Sequence, residues 1–80
     1  MYPRKARRRE VQGLAVVTFV VEKDGSLTSV QLLRDPGAGI GEEALRVVNL
    51  MVNGPPWTPG IQEGKPVRVQ FNLPIQFSLN

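Results

Sequence analysis

Two groups of residues in this chain have types and spacing that suggest chemistry: a basic run, Arg4, Lys5, Arg7, Arg8 and Arg9, and an adjacent carboxylate pair, Glu42 and Glu43. A run of cations can hold phosphate, anionic lipid or an acidic partner. No aromatic residues are interleaved with it to stack on bases, so nucleic acid is not an expected partner and a solvated terminal turn is the simpler reading. Paired carboxylates can divide acid and base roles. Neighbours on a helix, however, point about 100° apart, and this pair stands where a helix begins, opposite the partial positive charge of its exposed N–H groups. Neither Cys nor His occurs, which removes thiol nucleophiles, imidazole bases and the commonest zinc ligands. With no nucleophile, base and orienter standing together, the sequence is not that of an enzyme, and no metal or cofactor is expected.

The remaining candidate chemistry is that of the backbone. From Val67 to Leu79 the chain reads V-R-V-Q-F-N-L-P-I-Q-F-S-L, with Val67, Val69, Phe71, Leu73, Ile75, Phe77 and Leu79 apolar at every second place. Period two of this kind predicts a strand with one face in a core and one in water. Backbone N–H and C=O groups of successive residues point to alternate sides of a strand, and Pro74 has no N–H to give a neighbour. The even-numbered side is therefore expected to face an unpaired edge. Such an edge accepts another extended peptide, with the backbone groups of Arg68, Gln70, Asn72 and Gln76 as the hydrogen-bonding set and their side chains, Arg68 above all, tuning the choice of partner.

The elements that must position this edge follow from the rest of the chain. Eighty residues make one domain, too small for a deep catalytic cavity. The net charge of +3 is concentrated at one tip: the first ten residues carry +4 and the other seventy −1. No apolar run approaches the roughly 20 residues of a membrane-spanning helix, and no signal-peptide pattern appears. Tyr2 and Pro3 open a short helix expected to about Arg9, Tyr2 serving as an aromatic anchor. Leu14–Val21 is a nearly unbroken apolar run rich in β-branched residues, a strand with neighbours on both edges. Asp24-Gly25 is a strong hairpin signal, returning the chain through Leu27–Arg34. Ile40, Ala44, Val47, Val48 and Met51 fall on one helical stripe, and Asn53-Gly54 predicts a left-handed stop before Pro55 and Pro56. Trp57, held among prolines, is expected to close one end of a small core.

These elements predict an α+β fold: a three-stranded antiparallel sheet in the order second, first, third, with the short N-terminal helix and the longer helix packed on one face. The thirteen residues of the last strand span roughly 43 Å, well beyond its neighbours. The excess must pair elsewhere, bend or project, and a homodimer through this edge is one outlet for it.

Taken in order, Tyr2-Pro3 with Ala6, Gly13, Val17-Thr18-Phe19-Val20-Val21, Asp24-Gly25-Ser26-Leu27, Glu43-Ala44-Leu45-Arg46-Val47-Val48, Trp57-Thr58-Pro59-Gly60, Gly64-Lys65-Pro66-Val67-Arg68-Val69 and Leu73-Pro74-Ile75-Gln76-Phe77 resemble the C-terminal domain of TonB-family energy transducers. The resemblance covers almost all of residues 1–80. It implies a periplasmic domain of a longer, inner-membrane-anchored protein, worked by the ExbB–ExbD proton-driven motor through its N-terminal part. It further implies that the domain grips the TonB box of outer-membrane receptors as an added strand beside its last strand. Tyr2, Gly25, Trp57, Gly60 and Pro74 are then structural positions, while the run Arg7, Arg8 and Arg9 departs from the family in being more basic than usual and is a candidate anionic contact. Gly41 stands where the family often has Asp, which predicts a weaker helix N-cap. Two other readings remain open at this stage: a module whose basic tip binds anionic polymer or nucleic acid, and a regulatory appendage of a membrane protease or sensor.

Overall fold

A computed structural model of the chain describes residues 3–4 and 12–78. The expected N-terminal helix, with Tyr2, Arg7, Arg8 and Arg9, lies outside these residues apart from Pro3 and Arg4. In chain order the elements are β1 (Gly13–Val21), β2 (Leu27–Arg34), a helix α1 (Ile40–Val52), β3 (Gly60–Gln62), β4 (Lys65–Val67) and β5 (Val69–Phe77).

β1 is the centre of a three-stranded antiparallel sheet of order β2-β1-β5, the order expected from the sequence. Its apolarity on both faces explains the position. Ala15, Val17, Phe19 and Val21 are buried beneath α1, while Leu14, Val16 and Val20 on the other face are half-buried. From α1 the stripe Ile40, Ala44 and Val48 meets them, with Leu27 and Phe77 completing the core.

β2 does not keep strict alternation, and two register shifts in its pairing with β1 show how it reaches the core nevertheless. Val20 faces Thr28 and Thr18 faces Gln31, so Ser29, with φ 53°, is the extra residue of a bulge; a second shift separates Val17↔Leu32 from Val16↔Arg34. The bulge inserts one residue and flips the phase. Leu27, Val30 and Leu32 therefore all belong to the core although their spacing is irregular.

The β1–β2 turn forms at Asp24-Gly25 as expected. Gly25 N–H donates to Glu22 O at 2.9 Å and Glu22 N–H to Ser26 O at 2.8 Å. The Asp24 carboxylate accepts from Ser26 N–H at 2.9 Å and from its hydroxyl at 2.7 Å, and these bonds hold the Asp24 carboxyl below its ordinary pKa. Gly25 takes φ 86°, and its carbonyl receives the N–H of Trp57 at 2.9 Å. A Cβ at Gly25 would collide with the Trp57 carbonyl oxygen, so this glycine answers both to its own torsion and to a neighbouring backbone.

Both helix ends differ from expectation. The N-cap residue is Gly39, φ 84°, with no side-chain cap of its own, but the cap is supplied from a distance. Asp35 Oδ1 accepts from Gly37 N–H at 2.8 Å and from Gly41 N–H at 3.0 Å. A side chain at Gly41 would run into that carboxylate, so the residue that looked like a weakened cap is the one that lets Asp35 in. At the other end there is no left-handed stop: Asn53 has φ −90°, its Nδ2 donates to Asn49 O at 3.0 Å, and Pro55-Pro56 ends the helix.

The largest departure lies in the last strand, which is divided. Lys65–Val67 pairs with Gly60–Gln62 as a separate two-stranded ribbon, closed by Glu63 (φ 52°) and Gly64 (φ 77°), two left-handed residues as a tight hairpin requires. The chain breaks step at Arg68, and the nine residues of β5 then match the nine of β1, from Val69↔Val21 to Phe77↔Gly13. Of the excess length inferred from the sequence, Val67 pairs with Gly60 of β3, Arg68 and Ser78 lie outside the strands, and Leu79 lies outside the described residues.

Candidate binding edge

β5 has β1 on one side and, among the described residues, no strand on the other. A single hydrogen bond fixes which of its groups face outward. Thr18 Oγ1 donates to Phe71 O at 3.2 Å, so the Phe71 carbonyl points to β1. Alternation along the strand then turns the backbone groups of Gln70, Asn72, Pro74 and Gln76 to the open side. Pro74, opposite Val16, lies where its missing N–H takes nothing from the ladder.

The side chains at this edge are differently engaged. Gln70 Nε2 donates to Thr18 Oγ1 at 3.1 Å and Gln76 Nε2 to Phe77 O at 3.3 Å, while Asn72 makes no side-chain hydrogen bond among the described residues. Arg68 is not in the strand. Its Nε donates to Glu22 Oε1 at 2.6 Å and its Nη2 to Glu22 Oε2 at 3.2 Å, and the Thr28 hydroxyl donates to Glu22 Oε2 at 2.5 Å. Arg68 thus ties the β4–β5 break to the β1–β2 hairpin. Glu22 and Thr28 were not legible as its partners, since forty-six residues separate Glu22 from Arg68. Thr18 did carry a signal: it is the one polar residue within Leu14–Val21, it is 3% exposed, and a buried hydroxyl must find partners.

Arg68 first and Thr28 second hold the Glu22 carboxyl below the usual glutamate range, and Arg68 is raised in turn. A carboxyl depressed in the folded state stabilises above its unfolded pKa, about 4.3, and that contribution disappears as pH falls through the lower folded value. Wild type is therefore expected to melt above Glu22→Gln at pH 5 to 7, and the gap to close below about pH 4. Thermal melts of both proteins across that range check this; a gap unchanged at pH 3 would deny the pairing its role.

The opposite face of β5 is held by aromatic contacts. Trp57 stands edge-on to Phe19 with ring centroids 5.3 Å apart and to Phe71 at 5.8 Å, and Phe19 and Phe71 lie 5.6 Å apart. Trp57 closes the core end, as expected, and also backs the edge strand. Gly60 allows a further contact, since a Cβ there would lie 2.6 Å from Val69 Cγ2. α1 lies over β1 and β2 and leaves β5 largely uncovered. Val69 and Phe71 are consequently 39% and 41% exposed, contrary to a strand with one face wholly in the core.

Of the two candidate groupings, the basic run lies outside the described residues apart from Arg4. Glu43 pairs with Arg46, Oε1 to Nη2 at 2.5 Å, which lowers its pKa. No group of acidic residues able to hold a metal ion occurs among the described residues. A shallow cleft of about 290 Å³ between the hairpin turn and the end of α1, lined by Leu27, Met51, Val52, Pro55, Pro56 and Asp24 among others, brings no second titratable group beside Asp24.

The fold is thus a small antiparallel sheet with one helix on one face and, among the described residues, one edge strand left open. The family model for the Gram-negative bacterial TonB protein C-terminal matches residues 1–79, and the chain belongs to that family, the C-terminal domain of TonB-type energy transducers. Among solved structures, the solution NMR structure of the Helicobacter pylori TonB C-terminal domain (residues 179–285) matches with a TM-score of 0.76 at 26% identity, over 100% of this chain and 69% of that one. No curated protein matches the sequence.

Proposed function

We propose that this domain binds the TonB box of outer-membrane receptors by pairing it with the open edge of β5, and so couples the proton gradient of the inner membrane to active transport. The unpaired edge carries this reading: a nine-residue strand, matched along its whole length on one side and free of a strand on the other among the described residues. The outward backbone groups of Gln70, Asn72 and Gln76 supply main-chain hydrogen bonds, a mode of binding that tolerates sequence variation and suits one transducer serving several receptors. Arg68 takes part through position more than charge, since its guanidinium is engaged by Glu22.

In this reading residues 1–80 are one domain of a longer, membrane-anchored protein, facing the periplasm, with ExbB and ExbD acting on its N-terminal part. The domain itself is a binding module without catalysis, and its open edge also allows a homodimer. No helix among the described residues is long and apolar enough to cross a membrane.

Titration with a receptor box peptide at two ionic strengths tests the reading. Strand addition through neutral backbone groups is expected to hold its affinity within about twofold between 50 and 200 mM salt. Binding by Arg7, Arg8 and Arg9 would instead weaken steeply as counterions compete, and that result would move the site to the basic tip.

A further inference from the structure

The two faces of β5 differ in a way that constrains what can pair with it. On the α1 side stand Val69, Phe71, Leu73 and Ile75, the first two more than a third exposed and the others half-buried. On the other side stand Gln70, Asn72, Pro74 and Gln76, all exposed and none charged. We propose, resting on the edge-pairing reading above, that the received strand must itself alternate, with apolar residues toward the α1 side and neutral polar residues toward the other. The apolar strip of β5 is then a specificity surface as well as a part of the fold.

An added strand lies about 4.8 Å from β5, and its side chains fall on the same two faces, about 5 Å from those of β5. Each apolar residue placed on the α1 side takes its own surface and that of Val69 or Phe71 out of water together. A charged residue in that place is desolvated against Phe71 with no partner. The strip is already ordered, because Phe71 packs on Phe19 and Trp57 and Val69 rests against Gly60. Little side-chain freedom is therefore lost on binding.

The occupant is an extended peptide and not a helix. The uncovered strip is one row of side chains wide, and beside it run the outward N–H and C=O groups of β5. A helix laid over the strip satisfies none of them, whereas a strand satisfies both the edge and the strip.

Two nonapeptides of identical composition, matched to the nine residues of β5, test the proposal on the full domain by calorimetric titration. One alternates Val and Thr, and the other carries the same residues in two blocks. The alternating peptide is expected to bind roughly tenfold tighter, since two or three cross-strand apolar pairs act together. In Val69→Thr, a near-isosteric change, that preference is expected to shrink to about threefold or less, while Asn72→Pro loses both peptides. Equal binding of the two peptides, both lost in Asn72→Pro, would leave edge pairing intact and overturn the face selection. Binding of neither, or binding indifferent to Asn72→Pro, would overturn both. A concentration-dependent dimer that Val69→Thr weakens and the alternating peptide does not displace would assign the strip to a second copy and overturn the proposal.

Discussion

Asn72→Pro is expected to abolish binding of a receptor box peptide, a loss of roughly a hundredfold or more, while Asn72→Ala changes affinity by less than about threefold. The contrast isolates the backbone. Alanine removes a side chain that makes no hydrogen bond among the described residues but keeps the outward N–H. Proline removes that N–H, leaves a carbonyl of the incoming strand without a donor, and puts its ring where the strand must approach. The fold should tolerate the change. Asn72 stands in the same phase as Pro74, whose missing N–H costs the β1 ladder nothing, and β5 is already extended as proline and its predecessor require. Melting within a few degrees of wild type, beside lost binding in calorimetric titration, is the expected result. Equal losses for alanine and proline would mean that side chains carry the interaction.

Gly25→Ala is expected to be the most destabilising of the conservative substitutions, by about 3 kcal/mol, which lowers the melting temperature by roughly 10–20 °C in a domain of this size. Part of the effect is local, because alanine at φ 86° is strained. The larger part comes from the Trp57 carbonyl oxygen, which occupies the place a Cβ needs. The loop must move away, and the bond from Trp57 N–H to Gly25 O goes with it. Since Trp57 also packs on Phe71, the substitution loosens β5 from behind and should weaken peptide binding even at temperatures where the domain stays folded. A thermal melt with near-native stability would show that this loop gives way more easily than its packing implies.

Much of this arrangement was readable in the sequence because its signals are local. The apolarity of Leu14–Val21 marks a central strand, Asp24-Gly25 a turn, and the spacing from Ile40 to Met51 a helix stripe; from these the strand order and the open edge at Pro74 follow. What escaped were features decided by residues far apart in the chain. The break at Arg68 is invisible in an unbroken alternation, because β3 competes for Lys65–Val67 and the period continues across the step. The Asp35 cap was missed because it acts on Gly41 from six residues away, and only the absence of a side chain at Gly41 admits it. The Asn53-Gly54 stop failed for a related reason: Asn53 bonds back to Asn49, and the prolines make a left-handed residue unnecessary. The burial of β5 was overestimated, since period two reveals which face is apolar but not how far a thirteen-residue helix reaches across a sheet.

The claim on which the rest depends is that an extended segment joins the outer side of β5, and backbone amide shifts of the labelled domain during titration with receptor N-terminal peptides test it most directly. Changes should concentrate between Val69 and Phe77 and be largest at the outward amides of Gln70, Asn72 and Gln76, which should also gain protection from hydrogen exchange. Changes confined to the basic run from Arg4 to Arg9, with the β5 amides still and exchanging as before, would contradict it.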